Sequence, residues 1–440
     1  MPFFADPGWF FWSAKHMIVD HQISLVGITS SHIWLHQGPL WTYILGIILT
    51  LFNFSPYAPA YFVALLGTIT IFLIYFISKE IFSEKVGIIS AFLLATSPLA
   101  IQNSRLAYHT SPIPFLVLLF IFAIYKWVKG DLMYFPILIF LCGLLYNFEI
   151  ATFSLISTFL TIFLFGWFKK KKWASVLSNK KLTIYSILAF LMPMGPMLIY
   201  DLHHGFPQTI KFIAWVGYKF LQVLKVPGIN KSIEGQTWAE FINYCSNALK
   251  DTIYINNTSI SFVLFIVAII VFAVFNYKRI LKKKMTISTG LLGLFVFLPT
   301  LIFILQKTGS DAYLPMLYPI WIIFFGLTTS YLMSNKLMTV FLSAIIFFIG
   351  ASNSYVLVKN NYFVKTNINT YFSTVKTIIS KSNKNEFNIL GKGQGSQYES
   401  FVTPYKYLAW YLGHPASEKN QKLKFYVTEY PGRINLEVKN

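Results

Sequence analysis

Carboxylates are scarce in this sequence: 16 Asp and Glu stand against 36 Lys and Arg in 440 residues, and charged residues of both signs make up only 12%. So little polar side-chain area cannot wrap a water-soluble core of this size, and hydrophobic residues, at 55%, form long runs. Cysteine is nearly absent. Cys142 in an apolar run and Cys245 in a polar stretch are the two that occur, which excludes a disulfide framework and a thiolate metal centre. Residues 1–37 are aromatic and mixed, so they do not read as a cleavable signal peptide. No solenoid repeat and no inverted pair of broken helices is visible, which weighs against a secondary transporter.

What is present is apolar sequence of membrane-crossing length. A lipid-spanning helix needs about 20 mostly apolar residues, and the runs predict ten spans, near 58–77, 86–101, 111–128, 132–148, 150–168, 182–200, 258–277, 287–305, 314–333 and 337–357. The net charge of +20 does not point to nucleic acid, because the basic residues sit in short blocks between spans instead of on one soluble face. Lys79 and Lys85, Lys126 and Lys129, Lys169 to Lys172, Lys278 to Lys284 and Lys336 all fall on one side of the membrane if 58–77 runs inward. The expectation is a multi-pass protein of the plasma (inner) membrane. Residues 102–110, 201–257, 306–313 and the C-terminus lie on the extracytoplasmic side.

The fold class expected is an all-α polytopic membrane protein of about ten transmembrane helices with a small C-terminal extracytoplasmic α+β domain. Its divisions are 1–57, a first outer loop with a juxtamembrane helix; 58–358, the helical bundle with its outer loop 201–257; and 359–440, where Asn, Lys, Ser and Thr replace the apolar runs. Within the last, 386–390 and 423–429 alternate as strands do and 401–412 has helical spacing. Gly393-Gln394-Gly395-Ser396 reads as a turn. The run 38–54 either barely spans or lies along the surface.

Few residues offer chemistry. Asp6, among Phe3, Phe4, Trp9, Phe10, Phe11 and Trp12, is a carboxylate suited to general-base work at an interface, or else an N-terminal cap for a helix starting at Pro7. Arg105, just beyond the span 86–101, suits a phosphate with its forked guanidinium, or snorkels to headgroups. Glu149, the only acid of its hydrophobic stretch, turns between two spans, where an acid is a functional candidate by default. Asp201 and His203, with His204 beside them, follow another span; adjacent His side chains diverge, so a metal there is disfavoured and a substrate-facing loop preferred. His16, His21, His32 and His36 read as interfacial packing.

The order of these features resembles glycosyltransferase family 39, within the GT-C superfamily, and its bacterial relatives: dolichyl-phosphate-mannose-protein mannosyltransferase-like and lipid A aminoarabinose transferase-like proteins. An aromatic-Asp-Pro-Gly-aromatic loop holds Asp6; then come His36-Gln37-Gly38-Pro39-Leu40-Trp41-Thr42-Tyr43 and Ser97-Pro98 through Ser104-Arg105-Leu106-Ala107, with a later echo in Tyr313-Leu314-Pro315. Two departures stand out. Pro7 occupies the place of the family's usual second acid, and the family's first transmembrane helix, which should precede the loop, is missing.

The resemblance implies a glycosyltransferase that moves a sugar from a polyprenyl-phosphate donor to a lipid, glycan or protein acceptor on the outer face, with 38–54 a surface helix. Asp6 would be the base and Arg105 would bind the donor phosphate. Glu149, Asp201, His203 and Tyr313 would line the substrate side. The resemblance implies no cofactor with certainty, and a divalent cation stays open because relatives of this type differ on it. The alternative is a lipid-linked-sugar flippase or transporter, and a ligase-like enzyme with its main outer loop at 202–257 is a third reading. Partners are the donor lipid, the acceptor and the bilayer, with no nucleic acid.

Overall fold

The computed structural model describes residues 2–30, 34–224, 237–282, 285–307, 309–360, 367–430 and 432–439. His32 and residues 225–236 of the outer loop lie outside the described residues. Helix α1 (Ala5–Val19) is followed by α2 (Leu40–Leu51), then by α3 (Ala58–Ile81). At 1.5 Å per residue α2 extends about 18 Å, well short of a bilayer's apolar thickness. It packs on α1, where Gly46 lies against Met17 and Ile18, and its Trp41, Leu45 and Leu49 are buried.

The run 86–101, expected as one span, is two helices, α4 (Glu84–Thr96) and α5 (Pro98–Asn103). Pro98 lacks an N–H and pushes the residue before it out of helical geometry. Ser97 is extended accordingly and caps α5, its Oγ accepting from the Ala100 N–H at 3.4 Å. The bundle continues through α6 (Ile113–Val128), α7 (Tyr134–Phe148), α8 (Phe153–Phe168), α9 (Lys180–His204), α10 (Pro207–Val223), α11 (Trp238–Thr252), α12 (Thr258–Leu281), α13 (Ile287–Gln306), α14 (Leu314–Leu332) and α15 (Lys336–Asn360).

Among the described residues, seven helices are long and apolar enough to cross a membrane, and α2, α6 and α7 are shorter apolar helices. The chain is therefore a multi-pass membrane protein. Every residue of α14 from Leu314 to Thr328 is buried, so this helix is the axis around which α4, α6, α12 and α13 pack. Phe72, Met192, Val274 and Phe348 are exposed on α3, α9, α12 and α15, the surface that lipid covers. At one end Lys126 meets Glu80 at 2.8 Å and Trp127 packs edge-on against Trp173 at 4.7 Å, which gathers several of the basic blocks together.

The C-terminal segment contains α16 (Ile368–Ser382), β1 (Asn388–Gly391), α17 (Thr403–Tyr411), β2 (Lys424–Tyr430) and β3 (Arg433–Lys439). The sheet order is β1-β2-β3, with β1 parallel to β2 and β2 antiparallel to β3. Phe425 and Val427 of β2 point into its core, with Ile389 beside them. Gly393 and Gly395 take positive φ values of 91° and 87° in the turn after β1, a backbone that glycine adopts without strain.

This segment is docked on α1. Phe3 sits between Phe11 and Tyr371 at 5.4 and 5.5 Å, Phe11 meets Tyr407 at 5.3 Å, and the Tyr407 hydroxyl donates to the Phe54 carbonyl at 2.6 Å. Residues more than 350 apart in sequence thus fix the helix that begins with the first acid of the chain.

Candidate active site

Helix α1 starts at Ala5, and its N-cap residue Phe4 has no side-chain cap bond. Asp6 lies inside the first turn, so it does not cap the helix in the way the Asp-Pro pair suggests. A carboxylate in that turn is favoured by the aligned backbone N–H groups. Its side-chain partner is Tyr108, whose hydroxyl donates to Asp6 Oδ2 at 3.1 Å.

Tyr108 stands in the tight loop between α5 and α6. The Tyr108 N–H donates to the Leu106 carbonyl at 2.9 Å, the Ser111 hydroxyl donates to the same carbonyl, and Asn103 Nδ2 donates to the Ser111 carbonyl at 3.2 Å. The Tyr108 ring packs against His109 at 3.9 Å and Phe10 at 6.1 Å. Burial, with the Asp6 and Glu149 carboxylates nearby, holds its phenol well above the ordinary value, so the hydroxyl stays a donor.

Next to it, His109 is 2% exposed and its Nε2 lies 3.3 Å from Glu149 Oε2. Glu149, also buried, accepts from Gln37 Nε2 at 3.2 Å on the same oxygen and from the Ala151 N–H at 3.2 Å on the other. Gln37 reaches it because Gly38 lies flat on Asn147: the Gly38 N–H donates to the Asn147 carbonyl at 3.1 Å. Asp6, Tyr108, His109, Glu149 and Gln37 therefore form one continuous cluster from four separate parts of the chain, buried at Gln37, His109 and Glu149 and half-buried at Asp6 and Tyr108.

Two cavities flank this cluster. The larger, about 920 Å³, is bounded by Tyr108, Thr110, Asn247, Asp251 and Asp311 among others, and Asp6 stands one hydrogen bond behind its wall. The smaller, about 300 Å³, is largely apolar, with Trp215, Phe220 and Phe303 in its walls and Glu149, Lys219, Gln306 and Tyr313 among its polar residues. Tyr313 stacks on Phe303 at 5.4 Å. The turn 310–313 separates the two spaces, since Asp311 and Ala312 face the larger and Tyr313 the smaller.

The remaining candidates lie apart from this cluster. Arg105 is exposed in the turn after α5, beside the lining residue Leu106, and makes no ion pair among the described residues. Asp201 is buried and accepts from the Gln208 N–H at 2.7 Å, the Thr209 N–H at 2.9 Å and the Thr209 hydroxyl at 2.6 Å, which fastens the start of α10. His203 is exposed in the last turn of α9. His16 pairs with Asp20 at 2.5 Å and His36 Nδ1 lies 3.0 Å from the Gly27 carbonyl. Among the described residues no group of three or more His, Cys, Asp or Glu is arranged to hold a metal ion.

Sequence reading passed over Tyr108, His109 and Gln37 as partners. A signal existed for two of them: Tyr108-His109 stands two residues beyond Arg105, after Leu106 and Ala107, and a polar pair in a short loop between apolar helices has few other places to go than a buried network.

Residues 36–200 match the family model described as dolichyl-phosphate-mannose-protein mannosyltransferase. Among curated proteins none matches this chain by sequence. Among solved structures, ArnT from Cupriavidus metallidurans bound to undecaprenyl phosphate is similar with a TM-score of 0.58 and 8% identity, over 98% of this chain and 93% of that one. The apo form of ArnT gives 0.51 at 10% identity, over 93% and 70%. The apo oligosaccharyltransferase of Archaeoglobus fulgidus gives 0.53 at 13% identity, over 91% of this chain and 60% of that one. The chain thus spans less than two thirds of the oligosaccharyltransferase's length. At these identities the likeness is one of fold, the fold of ArnT and of the oligosaccharyltransferase.

Proposed function

We propose that this chain, with its GT-C fold, is a glycosyltransferase that moves a sugar from a polyprenyl-phosphate donor to an acceptor on the outer face of the membrane. The observation that carries the reading is the position of Asp6, a carboxylate fixed at the start of α1 behind the wall of a 920 Å³ cavity. The family match over 36–200 and the fold it shares with an ArnT that binds undecaprenyl phosphate support a lipid-phosphate partner.

In the proposed reaction the acceptor hydroxyl gives its proton to Asp6 as its oxygen bonds to the anomeric carbon. The bond from that carbon to the phosphate oxygen breaks, and its electron pair leaves with the polyprenyl phosphate. Arg105, exposed beside the cavity-lining Leu106, meets the phosphate whose charge grows in that step. Glu149 and Tyr313 bind acceptor hydroxyls from the smaller cavity, whose apolar walls suit a lipid-borne acceptor. Asp201 and His203 shape the outer surface beyond it, and the C-terminal segment lies extracytoplasmically with the site.

The test is sugar release from a panel of polyprenyl-phosphate sugars, with the protein in nanodiscs. Turnover that vanishes in Asp6→Asn supports the reading, and full activity of that variant removes Asp6 as the base. Arg105→Ala is expected to weaken donor binding, and unchanged donor affinity removes its assigned role. Lipid movement across the bilayer without sugar release in the wild-type protein would favour the flippase instead.

A further inference from the structure

We propose that Tyr108 is the positioning residue of the base, its hydroxyl holding the Asp6 carboxylate in the orientation that accepts a proton. The proposal rests on Asp6 acting as the base.

Three observations converge on it. The contact is a single directed bond, Tyr108 Oη to Asp6 Oδ2 at 3.1 Å, and no other side-chain hydrogen bond to Asp6 is present among the described residues. Tyr108 has no freedom to be elsewhere: Phe4, Phe10 and His109 pack on its ring at 6.3, 6.1 and 3.9 Å, and its loop is wound on the Leu106 and Ser111 carbonyls. It also lines the 920 Å³ cavity, so the residue that orients the base stands in the wall between that space and Asp6.

A base that is free to rotate spends little time aimed at the hydroxyl. Removing the phenol oxygen thus lowers the rate of the proton-transfer step and leaves the substrate-binding surfaces in place. The other titratable groups around Tyr108 are His109, stacked on its ring, and Glu149, whose charge it also feels. His109 is bonded to Glu149, and neither carries a hydrogen bond to Asp6.

The experiment measures kcat and KM of sugar release for wild type, Tyr108→Phe and Asp6→Asn, with thermal melts of each. Tyr108→Phe keeps the ring packing, so its melting temperature should stay near that of wild type. Its kcat is expected to fall about tenfold or more, with the donor and acceptor KM within about twofold of wild type. As a second variant, 4-fluorophenylalanine at position 108 keeps the ring and its bulk but removes the donor, so the same fall in kcat is expected even if Tyr108→Phe folds poorly. An inactive Asp6→Asn with wild-type kcat in both Tyr108 variants overturns the positioning role alone. An active Asp6→Asn overturns the base itself, and the positioning role with it.

Discussion

Gly8 of α1 and Pro404 of α17 meet with no space for a side chain: a Cβ on residue 8 would lie 2.4 Å from Pro404 Cγ and 2.7 Å from its backbone nitrogen. Two residues from Asp6, then, the helix that carries the candidate base is pressed directly against the C-terminal segment. In an ordinary helix Gly→Ala is favourable by about 1 kcal/mol. Here overpacking of about 1–3 kcal/mol opposes that gain.

The first prediction follows. Gly8→Ala is expected to lower the melting temperature, with Gly8→Val worse, and to reduce sugar release as α1 shifts. Pro404→Ala in the Gly8→Ala background should recover part of both losses, because the two residues share one contact. Additive losses in the double variant would mean that the contact does not couple them.

Much of this arrangement was legible in the sequence, and the reasons for the rest are physical. Apolar runs and basic blocks are local signals, so the spans after residue 111 stand near their expected places. Ser97-Pro98 was visible as a dipeptide, yet the apolar run continued through it and hid the break between α4 and α5. Ile368, Tyr371, Val375 and Ile378 keep helical spacing and are buried in α16, but Asn, Ser, Thr and Lys around them masked the stripe. The strand β3 was missed for a similar reason, its Ile434, Leu436 and Val438 alternating with Asn, Glu and Lys. Pairings such as Asp6 with Tyr108 or Gln37 with Glu149 join residues about a hundred apart, and no local pattern encodes those.

A second prediction concerns Glu429 in β2, whose Oε1 accepts from the Tyr371 and Tyr405 hydroxyls at 2.9 and 2.8 Å. Burial pushes its carboxyl above the ordinary value of 4.5, only partly offset by the two phenols. A carboxyl raised in the folded state binds more protons there than when unfolded, so its contribution is fully present at low pH. Stability is then lost as pH climbs from the ordinary value through the raised one. Glu429→Gln keeps an acceptor for both phenols and removes the titration. Melts across mildly acidic pH should show a smaller downward slope for the variant. An identical slope would place the proton elsewhere.

Gly38 supplies a third. A Cβ there would overlap Asn147 Oδ1 at 1.7 Å, and Asn147 cannot retreat because its Nδ2 donates to the Gly143 and Pro193 carbonyls at 2.9 and 3.0 Å. Gly38→Ala is expected to displace the chain at Gln37, strip Glu149 of that donor and cost about 1–3 kcal/mol of stability. Asn147→Gly in the same protein should restore part of the melting temperature. No recovery would mean that the backbone, not the side-chain overlap, is what residue 38 requires.

The fourth prediction separates two roles for Asp201. Its three accepted bonds come from Gln208 and Thr209, and Gln208 Oε1 in turn accepts from the His36 N–H at 3.1 Å. The next residue, Gln37, donates to Glu149. Asp201 therefore reaches the buried cluster through α10 without touching it. Asp201→Ala should cost about 1–2 kcal/mol, as loss of a helix-start acceptor does, and weaken acceptor binding with it. Gln208→Ala leaves its own N–H on Asp201 intact but cuts the link to His36, so it is expected to raise the acceptor KM with little change in melting temperature. If Gln208→Ala has no effect on KM while Asp201→Asn abolishes acceptor binding in a fully stable protein, Asp201 meets the acceptor itself, and the chain through Gln208 is only scaffolding.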